Sequence, residues 1–188
     1  MSARFEAAFQ LIVGAEGGLD LDNADPGNWT GGEVGRGDLR GTKYGWAAAD
    51  WPGYLAEMPA EIRAQMPPWP DGLTLELAKL AYQTVQWSRI AGDALPAPIA
   101  LVVFDEEINQ GPSAAPRDLQ KALGVAQDGV IGPETIKAAL ERDPVELLAE
   151  FGWLRLERYQ AARLWSHDGH GWTRRLLSMT ARAFTYAQ

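Results

Sequence analysis

Ser2–Gly18 reads SARFEAAFQLIVGAEGG, and Asp25–Gly45 reads DPGNWTGGEVGRGDLRGTKYG. The first stretch has the period of an amphipathic helix. Phe5, Phe9, Ile12 and Glu16 recur at three- and four-residue steps. The expected helix runs from about Ser2 to Ala15. At 100° per residue, Phe5 and Glu16 project within roughly 20° of each other. A carboxylate therefore extends an apolar stripe, and Gly17-Gly18 stops the helix just beyond it. Apolar neighbours, the partial negative charge of a helix C-terminus, and like charge from Asp20, Asp22 and Asp25 all favour keeping this acid protonated. A solvated Glu at a fraying helix end gives the same pattern, so this alone does not assign a role. The second stretch breaks the period. From Gly17 to about Lys43 the chain has few apolar anchors and holds seven glycines between Gly17 and Gly37. A loop of that length in a compact domain is functional or disordered.

Outward from there the sequence reads as helices joined by loops. Tyr44 to Pro70 is broken into short helices by Pro52, Pro59, Pro67, Pro68 and Pro70. Thr74 can cap a helix reaching about Ala91, with Gly92 as its stop. Further helices are expected over about Pro98–Asn109, closed by Gly111, and from Pro116 to just before Gly124. Pro133 opens another to about Glu141. Asp143-Pro144-Val145-Glu146 reads as a capping box opening a long helix to about Trp165. A last helix covers Trp172 to Tyr186. Asp20-Leu21 and Val130-Ile131 are the only strand signals, enough for short hairpin edges. The class is mainly α, with a long Gly/Asp-rich loop and at most a small β-hairpin. No Pro/Ser/Gly linker separates the first half from the second, so residues 1–95 and 96–188 are expected to pack as one unit.

Composition narrows the chemistry. The 188 residues are 46% hydrophobic and 22% charged, enough to bury a core without a staple. There is no cysteine, which removes thiol catalysis. With His167 and His170 as the only soft ligands left, no metal site and no cofactor are expected. The net charge of −8 disfavours nucleic acid and anionic membranes as partners. No apolar run reaches spanning length. The N-terminus lacks the basic cluster of a signal peptide, and Glu6 and Gln10 interrupt its apolar run. The expectation is therefore synthesis in the cytoplasm, with delivery by another agent if the protein acts outside it. Trp153, Trp165 and Trp172 fall at helical positions and are expected in the core.

Glu16-Gly17-Gly18, then Asp25-Pro26-Gly27, then Thr42-Lys43-Tyr44-Gly45 resemble in order the "EGG", "DPG" and "T-x-YG" motifs of glycoside hydrolase family 108, bacterial and phage N-acetylmuramidases. The second half resembles the C-terminal region of the same proteins, often described as peptidoglycan-binding. Its marks are Phe104-Asp105 with Asn109 and Gly111, Leu119-Gln120 with Ala122-Leu123-Gly124, Asp128-Gly129, Ile131-Gly132-Pro133 with Thr135, Arg158-Tyr159, and Gly171-Trp172 with Arg175. The sequence departs at Leu19, where the family usually has an aromatic residue, and at Trp46, where Ile or Val often follows the "YG". A "Y-x-x-x-Y/W-W" stretch is loosely represented by Tyr82, Gln86 and Trp87.

The resemblance implies a lysozyme-like helical fold and cleavage of peptidoglycan glycan strands. Glycoside hydrolysis normally uses two carboxylates, one to protonate the leaving oxygen and one to attack carbon or activate water. By resemblance Glu16 is the acid. The order Glu16, Asp25, Thr42 is similar to that of phage lysozymes of the T4 type, which makes Asp25 and Thr42 the groups that hold and activate water. Asp25 is also a natural Asp-Pro-Gly turn residue. Asp20, Asp22, Glu33 and Asp38 compete for the second role, and a lytic transglycosylase mechanism stays open. Tyr44 and Trp46 are candidate sugar-lining aromatics. Asp105 and Asn109 lie four apart on one helical face, as a sugar contact or as a buried polar brace. The expected setting is phage-type lysis by a monomer, with a holin or a virion giving access to the periplasm and wall. Service in protein secretion and a non-catalytic wall-binding virion protein are the alternatives.

Overall fold

The computed structural model describes residues 1–14, 18–163 and 165–186. The chain divides into two compact units, Met1–Val85 and Gln86–Gln188. In the described residues it is mainly helical with one small sheet, a lysozyme-like class of fold.

The first unit opens with α1, Ala3–Ile12. The Ser2 hydroxyl caps it by accepting from the Phe5 N–H at 3.2 Å. Phe5, Ala8 and Phe9 form its buried stripe. The helix stops earlier than its apolar period suggests. Gly14 takes a left-handed φ of 66°, and the N–H groups of Val13 and Gly14 both donate to the Phe9 carbonyl. The expected alignment of Glu16 with Phe5 lies beyond the described part of this segment. Glu16 itself, with Ala15 and Gly17, lies outside the described residues.

The Gly/Asp-rich loop leads into a three-stranded antiparallel sheet: β1 Leu19–Asp20, β2 Thr42–Lys43 and β3 Trp46–Ala47. Thr42 pairs with Ala47 and Lys43 with Trp46, which leaves a two-residue turn, Tyr44-Gly45. Both turn residues have positive φ, 51° and 81°, as a type I′ hairpin turn requires. The Tyr82 hydroxyl donates to the Tyr44 carbonyl at 2.9 Å and so supports the less natural of the two. A Cβ on Gly45 would stand 2.4 Å from that hydroxyl. Tyr44-Gly45 is thus a turn, stabilised from a helix almost forty residues downstream.

After the sheet come α2 Trp51–Glu57, α3 Ala60–Arg63 and α4 Leu75–Tyr82, the last capped by Thr74 as its sequence implies. Aromatic rings join these elements. Phe9 meets Tyr82 edge-on, Tyr82 packs on Trp46, and Trp46 meets Trp51 and Tyr54 edge-on at 5.4 and 4.7 Å. Each of the fully buried rings, Phe9, Trp46, Trp51 and Tyr82, contributes about 1.5–3 kcal/mol by leaving water. The buried Lys79 ammonium donates to Glu6 at 2.6 Å and ties α4 to α1. That bond holds the Glu6 carboxyl below its ordinary range and Lys79 above its own.

A π-helical segment, Gln83–Trp87, carries the chain into the second unit. There α5 (Ala97–Gln110) is buried without a break from Ile99 to Glu107. Around it pack α6 (Ala114–Leu123), α8 (Pro144–Ala161) and α9 (Trp165–Tyr186), with α7 (Pro133–Glu141) against α6. Asp143 caps α8, accepting from Val145 and Glu146 N–H. Gly124 ends α6 in a left-handed conformation. Val130-Ile131 forms no strand. Trp153 is not core: it is 55% exposed, on the outward side of α8.

Three consecutive acids on α5 are buried. Asp105 is fully buried between Arg155, at 2.8 Å, and Arg175, at 2.7 Å. Glu107 pairs with Arg89. Glu106 has Arg155, Arg158 and Asp118 around it, and burial pushes its carboxyl up to about 9. Arg155 pulls in the other direction and Asp118 adds to the rise.

Candidate active site

The loop between β1 and β2 is built by short-range hydrogen bonds from its own aspartates. Asp20 accepts from the Asp22 N–H, Asp22 from the Ala24 N–H, and Asp25 from the Gly27 N–H, each at 2.8–2.9 Å. Asp-Pro-Gly therefore turns through a single 3₁₀ turn, Pro26–Asn28, with Asp25 as its cap. The turn reading of Asp25 and a catalytic one are compatible. One carboxylate oxygen fixes the turn, and the exposed carboxyl group stays open to solvent. Farther along, Trp29 bridges Leu39, and Thr30 and Asp38 exchange hydrogen bonds. The loop is an ordered ribbon.

Asn28 is the hub of this ribbon and is fully buried. Its Nδ2 donates to the Asp22 carbonyl at 3.0 Å, and its Oδ1 accepts from the Thr42 hydroxyl at 2.7 Å. Its own carbonyl accepts from the N–H groups of Arg40 and Gly41. One residue thus joins the start of the loop to its end. Sequence reading missed it. Asn28 looks like the fourth residue of a turn, and its partner lies fourteen residues away.

Thr42 sits half-buried on β2, directly opposite Asp20 on β1. Directly paired residues of antiparallel strands share a face of the sheet. The competing carboxylate Asp20 therefore stands beside Thr42, while Asp25 reaches Thr42's frame through the Asn28 turn. Of the remaining competitors, Asp22 is exposed and spent on the loop, Glu33 pairs with Arg36, and Asp38 lies near Arg40. The strand is pinned from outside by Asp71, whose carbonyl accepts from Lys43 Nζ at 3.0 Å and whose carboxylate faces Arg40 at 3.4 Å.

The sugar-lining expectations divide. Tyr44 is half-buried at the hairpin turn, with Lys43 Nζ 5.8 Å from its ring centre, so part of the ring is open to a ligand. Trp46 is 1% exposed and encased by Trp51, Tyr54 and Tyr82. It is a core residue, because β3 alternates and directs this side chain inward. Asp105 is likewise corrected: its carboxylate is consumed by two arginines and has no access to sugar. Asn109, one turn later on α5, is exposed. The pair is not a joint contact, and it lies in the second unit, whereas Asp25, Thr42 and Tyr44 lie in the first.

These features have counterparts among known proteins. The chain is similar to the solved structure of SagA from Brucella abortus, with a TM-score of 0.77 and 28% sequence identity. The likeness covers 98% of this chain and 95% of that one. No curated protein matches it by sequence. Residues 9–111 match the family Glycosyl hydrolase 108. The match takes in the end of α1, the Asp25 turn, the Thr42 hairpin and α5, more than half of the chain, and the protein belongs to that glycoside hydrolase family.

Proposed function

We propose that this protein is an N-acetylmuramidase, cleaving the β-1,4 bond between N-acetylmuramic acid and N-acetylglucosamine in peptidoglycan. The family supports a peptidoglycan glycan hydrolase. The observation that carries the finer reading is the hydrogen-bonded frame that links the Asp25 turn to the Thr42 hydroxyl through Asn28. In the proposed step Glu16 gives its proton to the leaving glycosidic oxygen. A water held by Thr42 and Asp25 attacks the anomeric carbon, and its proton passes to the Asp25 carboxylate. Tyr44 lines the sugar. The first unit carries the chemistry, and the second contributes to holding the wall. The setting is phage-type lysis by a monomer that reaches the wall through a holin or a virion. No described helix is long and apolar enough to cross a membrane.

Mass spectrometry of digested glycan strands tests the bond and the mechanism. A reducing muramic acid end is expected. An end lighter by one water identifies a lytic transglycosylase instead, and intact strands with cut peptides defeat the reading. Glu16→Gln should abolish clearing in a peptidoglycan zymogram while the far-UV circular dichroism stays helical. A variant that still clears at near wild-type rate removes Glu16 from the acid's role.

A further inference from the structure

We infer that Asn28 is a positioning residue that sets the direction of the Thr42 hydroxyl proton and so determines how Thr42 holds water. The inference rests on the muramidase reading of Thr42 and adds a residue to it.

The orientation follows from donor and acceptor chemistry. The Asp22 carbonyl can only accept, so the side-chain group of Asn28 that faces it at 3.0 Å must be the NH₂. The other end of the amide, Oδ1, then faces Thr42 Oγ1 at 2.7 Å and can only accept. The Thr42 hydroxyl must therefore donate to it. Asn28 is fully buried, and turning its amide over would set Oδ1 against the Asp22 carbonyl oxygen, two acceptors with no proton between them. The backbone around it is equally fixed. The Asn28 N–H donates to the Asp25 carbonyl, and its carbonyl receives the Arg40 and Gly41 N–H groups. Water cannot replace these partners without opening the loop.

With its only proton committed, Thr42 Oγ1 offers only lone pairs on its open side. A water at Thr42 must then act as the donor. If it gives one proton to Oγ1 and the other to a carboxylate, its own lone pair is turned outward toward carbon. A freely rotating hydroxyl could instead donate to that water and occupy the lone pair needed for attack. It could also donate to the carboxylate and weaken it as a base. Asn28 removes both alternatives without touching the substrate.

A double-mutant cycle tests this on purified peptidoglycan, with kcat and KM for the wild type, Asn28→Ala, Thr42→Val and the double variant. Each single variant is expected to lose about tenfold or more in kcat with KM within about twofold, a loss in the range for general-base assistance. The double variant should be no slower than Thr42→Val alone, because Asn28 has nothing to orient once the hydroxyl is gone. Losses that multiply would overturn the inference and leave Asn28 a loop brace only. If Asn28→Ala melts early, Asn28→Asp keeps the acceptor for Thr42 while losing the donor to Asp22. Its kcat should stay within about threefold of wild type, and a loss as large as that of Thr42→Val overturns the inference. If Thr42→Val retains wild-type kcat, the role of Thr42 falls and the inference with it. The bond cleaved is read independently from the wild-type product, so failure of the inference and failure of the muramidase reading are separable.

Discussion

Glu106→Gln should stabilise the second unit at neutral pH. Glu106 is buried on α5, and burial raises its carboxyl to about 9 from an ordinary 4.5. The folded protein therefore keeps a proton that the unfolded chain releases. Stability from this group is fully present below about pH 4.5 and is lost as pH rises toward about 9. By pH 7 the loss is about 3 kcal/mol, at about 1.4 kcal/mol per pH unit. Glutamine has nearly the same volume and cannot ionise, so it removes that slope. For a chain of this size, 1 kcal/mol corresponds to about 2–4 °C in melting temperature, which predicts a rise on the order of 10 °C at pH 7. Calorimetry of wild type and variant in matched buffers from pH 5 to pH 8 measures the difference. The two curves should nearly coincide at the acid end and separate steadily toward the alkaline end. A separation that stays constant across the range, or a variant less stable at pH 7, would refute the placement of Glu106 as a buried neutral acid.

Asp105→Asn should be severe for the opposite reason, because it strands the buried Arg155 without its counter-charge. Removing one partner of such a pair costs about 3–5 kcal/mol, measurable by urea unfolding, while kcat of the folded fraction should change little. Gly45→Ala forces a side chain into a left-handed turn and against the Tyr82 hydroxyl. A loss of about 2 kcal/mol is expected, and a neutral result would argue against the type I′ turn. Asp25→Asn should reduce kcat by tenfold or more, roughly 1.4 kcal/mol. If Asp20→Asn is the slower of the two, the base is the carboxylate paired across the sheet from Thr42 and not the one on the turn. Since the chain is acidic, peptidoglycan binding should weaken only modestly between low and physiological salt, and a steep fall in a pull-down would reveal a basic contact surface.

Local signals served the helices well where a cap was written into the sequence. Thr74, Pro133, Asp143 and Gly124 start or stop helices where their chemistry says they should, because capping depends on a few adjacent residues. Other ends moved. α1 ends at Ile12 because Gly14 adopts positive φ, although the apolar period runs on. α8 ends at Ala161 and α9 begins at Trp165, not Trp172. Aromatic residues were misjudged in both directions. Trp46, a candidate sugar platform, is core, and Trp153, a candidate core residue, is exposed. Side-chain type does not say which neighbours will cover it.

The sequence by itself determined the mainly helical class, the loop that interrupts it, and the succession Glu16, Asp25, Thr42 through which the chain resembles its family. All of these depend on residue type and spacing along the chain. Only the tertiary structure decided that Asn28 joins Asp22 to Thr42, that Asp20 stands opposite Thr42, and that Asp105 is a brace between arginines. Each is a contact between residues far apart in sequence. Such contacts are selected by which buried polar groups can satisfy one another once the backbone has turned, and no local pattern records that choice.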